Sequence, residues 1–172
     1  MFRRDSSRGQ TMVEFALILP ILVLLLAGFF DLGRVVLAND SLAHAAREAA
    51  RYAVVHGGSP LNLCPVGPPA TDTVVPVAST ACPYPSPSKE SIRIEAREQA
   101  AASGSTVTVE VCYGVGCVGD TDKVDPVTGP ATNRRGTPVT VTVHSTVSMA
   151  AASIIGFSSF DVSNSSTMLV NH

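Results

Sequence analysis

Glu14 is the residue whose position most demands chemistry. It stands at the start of an uncharged apolar run from Phe15 to Phe30, FALILPILVLLLAGFF. An ionised carboxylate in such a setting costs several kcal/mol unless it is paired. A simple answer is that Glu14 lies at headgroup level near a helix N-terminus, where its charge is tolerated. Gly9 and Gln10 lie just upstream, behind a leader carrying Arg3, Arg4 and Arg8 against Asp5 alone. Four cysteines follow much later, Cys64, Cys82, Cys112 and Cys117. Their number suits disulfides in an oxidising compartment, with three pairings open. Cys112 with Cys117 would close the start of one loop, and Cys64 with Cys82 would close another. A zinc site is the rival, but the spacings lack CxxC knuckles. Asp120, Asp122 and Asp125 are oxygen donors without the EF-hand pattern, which reads as a solvated loop. His44, His56, His144 and His172 are scattered, and no G-x-S-x-G elbow or phosphate-binding glycine loop occurs. The sequence therefore predicts no catalytic residue, no metal site and no cofactor.

The elements that must position these residues are legible from periodicity. Sixteen uncharged residues rise about 24 Å as a helix, slightly short of the roughly 30 Å hydrocarbon core of a bilayer. Thr11 to Val13 on one side, and Leu32, Val35, Val36 and Leu37 on the other, can extend the span, with Arg34 snorkelling to the headgroups. Pro20 is tolerable in a membrane helix. The arginine-rich flank predicts a cytoplasmic N-terminus and an extracytoplasmic remainder. A cleaved secretory signal fits less well, because the only nearby A-x-A, Ala43-His44-Ala45, lies beyond the apolar run in a helical stretch. Helix character continues through SLAHAAREAARYAVVHGG, with Leu42, Ala45, Ala46, Ala49, Ala53 and Val54 on one stripe. One helix from about Gln10 to His56 is expected, with room for a break near Gly33 or Asn39-Asp40. The proline-rich stretch 59–87 reads as loop. A short helix follows from Lys89 to about Ala102, capped by Ser88 and closed by Gly104.

The period then changes to two. Val107, Val109, Val111 and Tyr113 alternate with Thr108, Glu110 and Cys112, and Val139, Val141, Val143 and Val147 alternate with Thr140, Thr142, His144 and Thr146. A polar loop joins these strands, with Arg134-Arg135 at its tip, and a last strand is expected between Phe160 and Val170. Three antiparallel strands need a cover, and the alanine-rich half of the first helix supplies it. The fold class is α+β, with a transmembrane helix running into an amphipathic helix packed on a small antiparallel sheet. The organisation is a basic leader 1–9, a transmembrane helix 10–38, a helix extension 39–58 and an extracytoplasmic α+β domain 59–172. A composition of 172 residues, 15% charged, net charge −2, with no Trp, argues against whole-chain disorder and against a nucleic-acid binder.

The stretch Gly9-Gln10-Thr11-Met12-Val13-Glu14-Phe15-Ala16-Leu17, with Pro20 after it, resembles type IV pilin-like N-termini, and in detail the TadE-like pseudopilins of tight-adherence (Flp-type) pilus systems. The resemblance continues through FFDLGRVVLANDSLAHAAREAARYAVVHG and the closing GTPVTVTVHSTV and FDVSNSSTMLVN. It implies cleavage between Gly9 and Gln10 by a prepilin peptidase on the cytoplasmic face. It also implies that the new Gln10 ammonium pairs with Glu14, beside Phe15, within or between subunits. Loss of three arginines and one aspartate would take the net charge from −2 to −4. The implied protein is not an enzyme. It is a single-pass inner-membrane protein, or a subunit of a surface pilus. Its partners are membrane lipid, the peptidase, pilin-like subunits and assembly machinery, with no small-molecule substrate. The other reading is an unprocessed, signal-anchored surface or secretion protein with a binding ectodomain.

Overall fold

The computed structural model describes residues 7–55, 88–103, 106–122, 124–125, 129–130, 136–151, 153, 156 and 158–171. The leader up to residue 6, the proline-rich stretch with Cys64 and Cys82, His56, Gly104, Arg134-Arg135 and His172 lie outside the described residues.

Helix α1 runs unbroken over Ser7–Val55, 49 residues with Pro20 inside it. No break occurs at Gly33 or Asn39-Asp40. Its two halves have different surroundings. Large apolar side chains from Met12 to Phe30 are exposed, and the apolar stretch long enough to cross a membrane is not buried in the protein at all. From Ala38 onward one stripe is enclosed: Ala38, Leu42, Ala45, Ala46, Ala49, Ala50 and Ala53. These recur at intervals of three and four, so they form one face. Val54, expected on that stripe, sits only at its margin.

Helix α2 spans Lys89–Gln99 and tightens into a 3-10 turn at Ala100–Ser103. The Ser88 hydroxyl caps it, accepting from the Ser91 N–H at 3.0 Å. Ile92, Ala96 and Ala100 are fully buried, and α2 packs on α1 and on the first strand.

Strands β1 (Val107–Tyr113), β4 (Pro138–Ser148) and β5 (Ser159–Leu169) form an antiparallel sheet in the order β1-β4-β5. Period-two alternation decides which face is buried. Val139, Val141, Val143 and Val147 of β4 face α1 with Val109, Val111 and Tyr113 of β1, while the threonines of β4 face away. Among the described residues, Tyr113 is the one large ring fully enclosed. An alanine-faced helix lies close to its sheet, so valines suffice to fill the space between them. The molecule is α+β, a long apolar helix with a small antiparallel sheet and a second short helix.

The β1–β4 connection is more structured than a polar loop. It holds a small ribbon, β2 (Val124–Asp125) with β3 (Gly129–Pro130), and a bridge between Val118 and Thr121. The chain reverses directly after β1 at Gly114 and Gly116, whose φ values of 107° and 67° favour glycine. That reversal brings Cys117 back over Cys112, to disulfide distance at 2.07 Å between sulfurs. Cys112, expected on the solvent face, is for this reason only 2% exposed.

Candidate functional site

The N-terminal residues singled out by sequence all lie on one helical segment. Gly9, Gln10, Glu14 and Phe15 are exposed in the first three turns of α1. The Gln10 side-chain amide donates to Glu14 Oε1 at 3.2 Å, an i to i+4 contact along the helix surface. α1 begins at Ser7 and has no acidic residue in its first turn. Glu14 is thus beyond the first turn, where the helix dipole would most favour it. Gly9 has no structural reason to be glycine. A Cβ built there meets nothing within 4 Å, and glycine inside a helix costs up to about 1 kcal/mol against alanine.

Two further sites hold the domain in place, and neither was recognised in the sequence. The first is Asp31, directly after Phe30. It is only 7% exposed. Its two carboxylate oxygens accept from the backbone N–H groups of Ala150 and Ala151, at 3.1 and 2.7 Å. A buried carboxylate is tolerable when peptide N–H groups solvate it. Two helical turns on, the Asn164 side-chain amide donates to the Asn39 carbonyl oxygen at 3.1 Å and to its Oδ1 at 2.9 Å. These two points set the β4–β5 hairpin along α1. The sequence signal for Asp31 was available: it is the only charged residue between Glu14 and Arg34.

The second is the free edge of β1. Asp120 Oδ1 accepts from the Val111 N–H and Asp122 Oδ1 from the Tyr113 N–H, both at 2.8 Å. The same carboxylates bind α2. Arg93 reaches Asp120 at 2.9 Å, and the nearly buried Lys89 ammonium reaches Asp122 at 2.9 Å and the Asp120 carbonyl at 2.8 Å. Glu90 in turn takes Arg93 at 3.2 Å and Arg97 at 3.0 Å. Burial alone would raise the Asp120 carboxyl pKa, but the Val111 N–H, Arg93 and Lys89 outweigh it and hold it below the ordinary 3.8. Burial likewise opposes the Arg93 charge, and Asp120 and Glu90 outweigh that, raising its pKa. Asp120 and Asp122 are therefore not a freely solvated loop pair. They occupy edge hydrogen bonds that would otherwise be open to a foreign strand. The side chain of Asp125 lies outside the described residues.

His44 is exposed on α1. His144 Nε2 lies 3.4 Å from Glu110 Oε2 on the outer sheet face. Among the described residues no group of three His, Cys, Asp or Glu is placed to hold a metal ion.

A family model described as TadE-like protein matches residues 9–51. The match begins at Gly9, takes in Gln10, Glu14 and Asp31, and ends inside the alanine stripe, a quarter of the chain. No curated protein and no solved structure matches significantly.

Proposed function

Because the first helix is TadE-like, we propose that the chain is a pseudopilin or minor pilin of a Tad (Flp-type) pilus. α1 crosses the cytoplasmic membrane with its N-terminus inside and the sheet domain outside. A prepilin peptidase cuts after Gly9. The Gln10 ammonium then pairs with Glu14, in the same helix or in a neighbouring subunit, and offsets the cost of a carboxylate in the membrane. The peptidase, lipid, pilin-like subunits and the assembly machinery are its partners.

The observation that carries this reading is the pairing of Gly9 with Glu14 at the head of an apolar helix. The fold has no steric use for the glycine. A flexible residue does suit an extended backbone in a protease cleft. The Gln10 side chain contacts Glu14 one helical turn on, at 3.2 Å, which supports a pairing of these two residues once the leader is removed.

N-terminal sequencing of protein purified from its host tests the proposal. Mature chains should begin at Gln10, and this start should vanish in Gly9→Ala and in a peptidase-null host. An intact leader on every mature chain overturns it.

A further inference from the structure

Given the proposal that α1 spans a bilayer, the geometry points to a second membrane contact, the β4–β5 turn, held in the headgroup layer at the outer end of the span. The hairpin lies along α1, and two contacts fix its level. Asn164 meets Asn39, and Ala150 and Ala151 meet Asp31. From Asn39 back to Asp31 the helix descends about 12 Å. From Asn164 back to Phe160 the strand descends about 13 Å. Phe160, like Ala150 and Ala151 of the turn, is therefore level with Asp31, the first residue after the apolar run. Phe160 is 51% exposed although it shares the helix-facing side with its cross-strand partner Val147. The chain carries no charged residue and no histidine from Ser145 through Phe160.

The length of the span favours contact. The run Phe15 to Phe30 is about 6 Å short of a typical hydrocarbon core. Extending it inward submerges Glu14. Extending it outward submerges Asp31, whose carboxylate two peptide N–H groups already solvate. The outward direction is open because that carboxylate is already solvated within the protein, and the turn must travel with Asp31. On the side of α1 away from the domain, Phe29, Phe30, Leu32, Val36 and Leu37 remain exposed and apolar. The lipid-facing surface thus continues past Asp31 beside the turn. The occupant of this surface is the acyl-headgroup boundary of the bilayer.

The chain has no tryptophan, so single substitutions report alone. Full-length Phe160→Trp, Ser153→Trp, Val23→Trp and Ser165→Trp are placed in phosphatidylcholine vesicles with and without brominated acyl chains, and acrylamide is the aqueous quencher. The expected result is strong lipid quenching for Val23→Trp, clear lipid quenching for Phe160→Trp and Ser153→Trp, and acrylamide quenching alone for Ser165→Trp on the outer sheet face. Aqueous quenching of both turn reporters, with Val23→Trp still in lipid, overturns the turn contact and leaves the span intact. Protection of the turn from both quenchers also overturns it, by showing a protein contact instead. A water-exposed Val23→Trp removes the span and the inference with it.

Discussion

Replacing Asp31 by alanine should unseat the hairpin from α1. The substitution deletes two charge-assisted hydrogen bonds, at 3.1 and 2.7 Å. The two donors do not suffer equally. Ala150 is exposed, so water can replace the carboxylate there, whereas Ala151 is 8% exposed and its N–H is left without that acceptor. An unsatisfied buried peptide group costs about 1–3 kcal/mol, and hydrogen bonds to charged groups contribute about 1.5–3. Relief of the carboxylate's own desolvation works the other way. The net loss should be about 2–3 kcal/mol, roughly 30- to 150-fold in the folding equilibrium. Asp31→Asn keeps one acceptor oxygen and should fall between wild type and alanine. Asp40→Ala, at an exposed position on the same helix, should stay within about 0.5 kcal/mol. The assay is a urea titration of the full chain in mild detergent micelles. Tyrosine near-ultraviolet circular dichroism follows the buried Tyr113 while the apolar helix stays in the micelle. A change below about 0.5 kcal/mol for Asp31→Ala would refute the argument that this carboxylate holds the domain to the helix.

The other expectations concern the loop and the helix head. Glu14→Leu should insert and be processed but assemble poorly, and normal piliation of that variant excludes the ammonium–carboxylate role. Alkylation without reduction should leave Cys112 and Cys117 unlabelled in the native protein; labelling of either contradicts the bond. Breaking that short closure should cost about 2 kcal/mol on chain-entropy grounds. Asp120 has a folded pKa below its ordinary 3.8, so its contribution is complete above that value and is lost as pH falls through the lower folded one. The urea midpoint should therefore drop more between about pH 5 and about pH 3 in wild type than in Asp120→Asn. Equal drops would show that the Asp120 interactions with Arg93 and the Val111 N–H add no pH-dependent stability.

What the sequence revealed and what it concealed divides by range. The apolar run, the alanine stripe, the valine alternation and the Ser88 cap are repeats or neighbours within a few residues, and each was readable. Cys112 and Cys117 are five apart, so their closure was one of few options. Asp120 and Asp122 looked like solvent because their partners are strand-edge N–H groups and a lysine that only the folded topology brings near. Asp31 stands out locally as a lone charge, but its partners do not. Its partners lie 119 and 120 residues away, and no local pattern announces that a carboxylate will be solvated by a distant turn.

That separation has a consequence for how the chain is made. At a synthesis rate of about 5–20 residues per second, Ala151 follows Asp31 out of the ribosome by about 6–24 s. During that interval the alanine stripe of α1 lacks the β4 and β5 surfaces that later cover it. β4 and β5 close the core only when nearly the whole chain is present. Non-local closure of this kind is slow, while the Cys112–Cys117 loop can oxidise as soon as its short segment emerges. Until β4 and β5 arrive, only α2 and β1 among the described elements are present to cover the alanine stripe, so the half-made domain leaves apolar helix surface open.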